Sequence, residues 1–312
     1  MESGGNSSGL ESLMEVDCEK LAPRLEGFIR DHMEKLEREG VVLGLSGGVD
    51  SAVVAALCKR AVGADRVLAL VMPEKYSAES HRRDALELAG LLGVRAELID
   101  ITPYLRKFGT YRLLPLGRLP LPGKARDYLT RKAMKFYEGK AGETPFSASL
   151  LGFRGKEFAS YFRRGNAHYR IKHRVRMVLL YLRAELENRL VVGAANKTEV
   201  SIGFFVKHGC DDASDVMPIA GLYKTQVRAL ARHLGIPAHM IEKPPSPDII
   251  GGITDEEAIG VPYEELDLIL AGLERGLSVP DLAKAVRTGE DRVLYVKGLT
   301  VKSEHMRKTY LP

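Results

Sequence analysis

The chain has 312 residues, 46 Lys and Arg against 41 Asp and Glu, a formal net charge of +5 and 45% hydrophobic residues. That is material for one large α/β domain with a full core, and it excludes a disordered or disulfide-scaffolded chain. No apolar run approaches bilayer length, the Gly/Ser-rich opening lacks the basic-then-apolar pattern of a secretory signal, and Cys18, Cys58 and Cys210 stand isolated, so a reducing cytoplasm is the expected compartment.

Residues 1–15 read as a disordered tail and 16–312 as a single domain. Over residues 17–39, Leu21, Leu25, Phe28, Ile29, Met33 and Leu36 recur at spacings of three and four, which predicts an amphipathic helix stopped by Gly40. A branched apolar strand (41–45), a Ser-Gly-Gly turn and an Ala-rich helix to about residue 62 follow. Residues 66–72 predict a second strand, 77–92 a helix and 94–101 a third strand. Strands alternating with helices predict a doubly wound, mostly parallel sheet with helices on both faces, which takes its ligand beyond the carboxyl ends of the strands.

Residues 103–165 break the rhythm with Pro115, Pro120, Pro122 and Pro145 and a short helix at 125–137; the segment reads as an insertion or lid. Between Pro103 and Arg176 there are 18 Lys and Arg against 4 Asp and Glu, which points to an anionic partner there. The core pattern then resumes. A helix at 168–187 carries Arg170, Arg174 and Arg176, and a strand at 189–194 and a helix at 196–205 come next. A polar loop at 207–215, a helix at 223–234 and a Pro/Gly-rich loop at 243–252 follow, then helices at 255–259, 263–273, 279–286 and 291–305.

The chemistry is densest at Ser46-Gly47-Gly48-Val49-Asp50-Ser51. Two glycines let the backbone turn sharply and turn its N–H groups into one concavity, a nest for anionic oxygens, and the following helix adds its unpaired amides. A carboxylate repels phosphate unless a cation sits between them, so Asp50 makes sense as a ligand for Mg²⁺, which favours carboxylate and phosphate oxygens. The string lacks the Lys-Ser/Thr of a Walker A loop. The bland alternative is a glycine turn with Asp50 capping a helix.

This string resembles the pyrophosphate loop of the N-type ATP pyrophosphatases. Further motifs follow in order: 193–199 (GAANKTE), 203–209 (GFFVKHG), 215–219 (DVMPI), 221–227 (GLYKTQV), 243–246 (KPPS), 254–260 (TDEEAIG) and 302–305 (KSEH). Together they resemble the NAD synthetases over most of the chain. The resemblance implies that the nicotinate carboxylate of deamido-NAD attacks the α-phosphate of ATP. An adenylyl intermediate and pyrophosphate result, and ammonia then displaces AMP. It implies ATP as co-substrate, Mg²⁺ as cofactor, ammonia that is free or supplied by a separate partner, and a homodimer.

By matching motif it implies that Gly44, Leu45, Ser46, Gly47, Gly48, Val49, Asp50, Ser51 and Ala194 bind ATP, with Lys224 and Ser246 at its phosphates. Asp50, Lys224 and Ser246 are the implied catalytic set and Asp50 with Glu199 the implied metal ligands. Arg174, Lys207, Asp215 and His305 would grip deamido-NAD. Departures from the family pattern stand at Ala194, at the loop from Cys210 to Asp215, at Pro247 and at Met306. Three readings stand beside this one: amidation of a related acid such as nicotinate mononucleotide, an RNA-modifying ATP pyrophosphatase gripping RNA with the basic insertion, and a non-enzymatic nucleotide-binding module. The C-terminal motifs and the lack of paired cysteines speak against RNA modification, and the retained Asp50, Glu199 and Lys224 against the module.

Overall fold

The computed structural model describes residues 9–113, 123–151, 159–246 and 253–311. Its centre is a four-stranded parallel sheet in the order β3-β2-β1-β4, with β1 at Gly40–Gly44, β2 at Val67–Val71, β3 at Arg95–Leu98 and β4 at Arg189–Val192. Val41 of β1 pairs with Val67 of β2 and with Leu190 of β4, so the two inner strands run in step. This is the doubly wound α/β arrangement that the alternating pattern predicts.

Successive residues of a strand face opposite sides of the sheet, and two cores follow from that. On one side Val41, Leu43, Val67, Ala69 and Val71 pack with helices α1 (Cys18–Lys35), α2 (Val49–Val62) and α3 (Glu79–Leu92). On the other, Val42, Leu68 and Leu70 pack with Ile101, Leu105 of α4 (Thr102–Lys107) and Val175, Leu179 and Leu180 of α7 (Ala159–Leu186). A third cluster gathers around Tyr263 and Leu266 of α12 (Tyr263–Glu274), with α13 (Val279–Val286) and α14 (Glu290–Lys302). No helix among the described residues is long and apolar enough to cross a membrane.

Two expectations change here. Leu10 is buried in the third cluster, Leu13 and Met14 pack on it, and Gln226 Nε2 donates to the Leu13 carbonyl at 3.0 Å. Apolar side chains therefore dock part of the segment read as a tail; residues 1–8 lie outside the described residues. The described part of the insertion, in turn, is mostly helical. Beyond the sheet-packed α4 it holds α5 (Gly123–Ala141), α6 (Pro145–Leu150) and the first turns of α7, whose 28 residues begin well before the predicted start. Lys302 Nζ of α14 holds Ser147 Oγ at 3.0 Å and Glu143 Oε2 at 3.2 Å, and Thr144 Oγ1 lies 3.1 Å from Tyr295 OH, so the joint between α5 and α6 is tied to the last helix.

A buried ion pair ties α7 to the loop after β2. Lys172 Nζ donates to Glu74 Oε1 at 2.8 Å and Tyr111 OH to Glu74 Oε2 at 2.7 Å. One turn earlier, His168 lies buried with Nδ1 at 2.9 Å from the Thr110 carbonyl. Burial, with Lys172 adding to it, holds its pKa below the usual value. The unfolded chain titrates near 6.5, so below about pH 6.5 the unfolded state takes a proton that the folded state refuses. The stability contributed by neutral His168 is therefore full above that pH and lost as pH falls toward the folded value. The thermal midpoint should drop between pH 7 and 5, and drop less in His168→Asn; equal slopes would remove His168 from the acid response.

Candidate active site

The loop after β1 is held in shape from behind. Gly47 takes φ +78°, and a Cβ there would collide with the carbonyl oxygen of His81 in the first turn of α3, so only glycine fits. Ser46 Oγ and Ser51 Oγ lie 2.9 Å apart, and Ser51 Oγ donates to the Gly48 carbonyl at 3.0 Å. Helix α2 opens on Gly48 without a side-chain cap, which leaves its first amides for an anion.

Opposite the loop stands Lys224, first residue of α9 (Lys224–His233). Its N–H donates to Thr198 Oγ1 at 2.9 Å, and Thr198 Oγ1 donates to Asp267 Oδ1 at 2.5 Å. Asp267 Oδ2 takes both the N–H and the hydroxyl of Thr225 at 2.8 Å. Fully buried Asp267 thus knots α8 (Lys197–Ile202), α9 and α12 together and fixes where the lysine side chain begins. That side chain bridges two carboxylates: Nζ donates to Asp50 Oδ2 and lies 3.2 Å from Glu199 Oε1. Asn196 joins them, donating to Asp50 Oδ1 at 3.0 Å and capping the Glu199 N–H at 2.9 Å.

The electrostatics of this cluster are one-sided. Burial would strip Lys224 of its proton, but Asp50, Glu199 and Asp255 outweigh burial and hold the ammonium well above its ordinary range. Burial pushes Glu199 up to about 8 against the pull of Lys224, with Asp50 and Asp255 adding to the rise. Burial also pushes Asp255 up to about 6. Its Oδ2 accepts from Tyr263 OH at 3.1 Å, while its Oδ1 is buried without a partner among the described residues. Three carboxylates therefore surround one ammonium. An oxygen-only donor set with surplus negative charge and an unsatisfied carboxylate oxygen fits a hard divalent cation such as Mg²⁺.

Residues 44–51, Ala194, Glu199, Lys224 and Ser246 all line one cavity of about 730 Å³. Ser246 Oγ donates to the Ile253 carbonyl at 3.2 Å; Pro247 lies outside the described residues. The structure thus gathers the residues expected at ATP and metal. The four expected at the dinucleotide it does not. Asp215 is bound into the sheet edge, its Oδ2 accepting from the Val191 N–H at 2.8 Å and its Oδ1 from Tyr181 OH at 3.1 Å. Arg174 is exposed and donates to the Lys207 carbonyl at 3.3 Å, and Lys207 Nζ donates to the His305 carbonyl at 2.9 Å. None of the four lines the cavity. On α7 the face turned to the cavity carries Tyr169, Arg170, His173 and Arg176, so Arg174, one residue on, points elsewhere. In the 207–215 loop it is Asp211, not Asp215, that reaches the cavity.

Helices α5 and α6 supply a wall that the sequence reading left undefined. Met134, Phe136, Tyr137 and Phe146 line the cavity, Tyr137 against Phe162 at 4.5 Å between ring centroids and Phe146 against Phe204 at 5.0 Å. The sequence signal available was the aromatic content of the insertion.

The NAD synthase family model matches residues 21–114 and 149–310. The chain is 45% identical over 257 residues to the NH(3)-dependent NAD(+) synthetase of Thermotoga maritima, covering 82% of this chain and 88% of that protein. It is 38% identical over 300 residues to the NH(3)-dependent NAD(+) synthetase of Hyperthermus butylicus, covering 96% and 91%. Among solved structures it resembles NMN synthetase from Francisella tularensis (TM-score 0.66, 28% identity, 96% and 99% of the two chains). It also resembles the NH3-dependent NAD synthetase of Campylobacter jejuni (TM-score 0.63, 26% identity, 95% and 99%).

Proposed function

The chain belongs to the NAD synthase family, and from that premise we infer that it is an ammonia-dependent ligase that amidates the carboxylate of deamido-NAD to NAD, with ATP as co-substrate. The observation that carries this reading is the meeting of the phosphate loop, the Asp50–Lys224–Glu199 bridge and Ser246 on one cavity. A carboxylate is a poor acyl donor, and adenylation converts its oxygen into a leaving group that ammonia can displace, with AMP and pyrophosphate as by-products. In this reading residues 44–51 seat the ATP phosphates. Mg²⁺, held by Asp50 and Glu199, would neutralise phosphate charge. Lys224, released from the carboxylates, stands beside the departing pyrophosphate, where a fixed cation favours the transition state. Exclusion of water by the bound substrates is what the activated acid requires.

A second acid is also favoured by specific observations. The residues expected to grip the dinucleotide lie off the cavity, and one structural neighbour is an NMN synthetase; nicotinate mononucleotide is that alternative substrate. The deciding assay gives purified protein ATP, Mg²⁺ and ammonium with either acid and follows amide and pyrophosphate. Selective turnover of deamido-NAD supports the first reading, selective turnover of the mononucleotide replaces it, and no turnover of either refutes both.

The family match breaks between residues 114 and 149, and that gap holds α5. We assign its aromatic wall to the acid substrate. Tyr137→Ala should raise the acid's KM about tenfold, the worth of one lost aromatic contact, with the KM for ATP within about twofold; equal rises for both would overturn the assignment. The exposed stripe Val178, Leu182 and Leu186 on α7 supports the homodimer. Leu182→Glu should then sediment as a monomer where the parent sediments as a dimer; a monomeric parent removes the homodimer from the proposal. The three free cysteines keep a reducing cytoplasm as the proposed compartment.

A further inference from the structure

Three donor atoms of three kinds, none of them from Asp50 or Glu199, meet in the cavity wall. His173 Nδ1 lies 2.9 Å from Asp211 Oδ2 and 3.5 Å from Cys210 Sγ, and Cys210 Sγ lies 3.5 Å from Asp211 Oδ1. The arrangement is built by the backbone. The Cys210 N–H donates to the His173 carbonyl at 3.1 Å, and Gly209 packs so closely on α7 that a Cβ there would stand 2.9 Å from His173 Cβ. Asp212 Oδ2 accepts from the His208 N–H at 2.8 Å and holds the other end of the loop. His173 Nε2, by contrast, is buried without a partner among the described residues, so Nδ1 is the nitrogen aimed at the cluster.

We propose that His173, Cys210 and Asp211 form an imidazole–thiolate–carboxylate site for a zinc-class divalent cation. Tetrahedral zinc, with bonds of about 2.0–2.3 Å, sets its donors roughly 3.3–3.6 Å apart. The sulfur–nitrogen separation of 3.5 Å already matches, and Asp211 turns one oxygen to each partner, Oδ1 to sulfur at 3.5 Å and Oδ2 to nitrogen at 2.9 Å, so a rotation of the carboxylate brings one oxygen into the donor triangle. Nitrogen and sulfur donors exclude Mg²⁺ and Ca²⁺ as preferred occupants and suit zinc or cobalt. Three protein ligands leave a fourth position, and because all three residues line the cavity that position opens onto it. On binding, the S–H bond of Cys210 breaks and its proton goes to solvent, the N–H that His173 Nδ1 turns to the anionic Asp211 gives up its proton so that the neutral imidazole keeps its hydrogen on Nε2, and sulfur and Nδ1 take the cation. Burial keeps that thiol protonated beforehand, well above its usual range. Asp211 is already anionic: burial opposes the charge, but His173 and Arg176 outweigh it and hold the carboxyl below its usual value.

The test is a Co²⁺ titration of the chelator-treated, full-length protein. One equivalent should give a thiolate-to-cobalt charge-transfer band with tetrahedral visible absorption, and Zn²⁺ should erase both. The oxygen-only Asp50–Glu199 pair and the sulfur-free group of Asp84, Glu87 and His239 can give no such band. Cys210→Ser should abolish the band and Cys18→Ser retain it; His173→Ala and Asp211→Asn should each weaken cobalt binding about tenfold or more. Absence of the band from the folded parent protein overturns the proposal whatever the variants do. A band that survives Cys210→Ser overturns it as well.

Discussion

Asp50→Asn is expected to reduce pyrophosphate release by about 10³-fold or more while leaving the fold intact, the scale of loss when a fixed charge partner of a phosphoryl transition state is removed. The substitution is isosteric, and the Asn196 amide that donates to Asp50 Oδ1 can still donate to an amide oxygen. What changes is the other oxygen. In its place an NH₂ group faces the Lys224 ammonium, two donors without an acceptor, and the cavity loses one of its two expected metal ligands. A folded circular dichroism spectrum, a thermal midpoint lowered by loss of the buried Lys224–Asp50 pair, and lost turnover are the expected results. Near-normal turnover would refute the metal role of Asp50.

Lys224→Met should lose both activity and stability, and the two losses should separate on adding Mg²⁺. A lysine as first residue of a helix opposes the helix dipole, and this one is 1% exposed. It is tolerated because Asp50, Glu199 and Asp255 surround it. Without the ammonium the carboxylates face one another, and breaking such a buried pair costs about 3 kcal/mol. Millimolar Mg²⁺ should recover much of the thermal midpoint by binding the carboxylates, since a ligand of the native state stabilises it. Activity should stay down about 10³-fold, because no fixed cation then meets the leaving phosphates. A variant that regains turnover along with its stability would reduce Lys224 to a structural counter-ion.

How much of this was legible beforehand depended on the range of the contacts involved. The phosphate loop could be read because strand, turn and helix are consecutive, and the chemistry of Asp50 follows from its place in that turn. Glu199, Lys224 and Ser246 could be placed only through the family resemblance, and the structure does gather them on one cavity. The dinucleotide set lies off the cavity through details that a linear motif does not carry. One residue along a helix is a turn of about 100°, which puts His173 on the cavity and Arg174 off it. In the 207–215 loop, hydrogen bonds from Val191 and Tyr181 claim Asp215 for the sheet edge and leave Asp211 facing the cavity. Asp267 was invisible as a positioning residue, because its partners Thr198 and Thr225 lie 69 and 42 residues away in the chain. The helices of the insertion were underestimated because their apolar face is completed by α7 and α14 rather than by a sheet.

The contact between Gly47 and the His81 carbonyl bears on when the nucleotide site acquires its shape. A loop propped by the first turn of α3 has its amides aimed before any ATP arrives. The ordering entropy of those residues is then spent during folding and not at the encounter. Nucleotide capture at the backbone of this loop is then expected to be rigid docking, with association set by diffusion and orientation and not by a rearrangement of the loop. Replacing Gly47 would act on the rate of that encounter as much as on its strength, because any side chain must push α3 away before the nest can form.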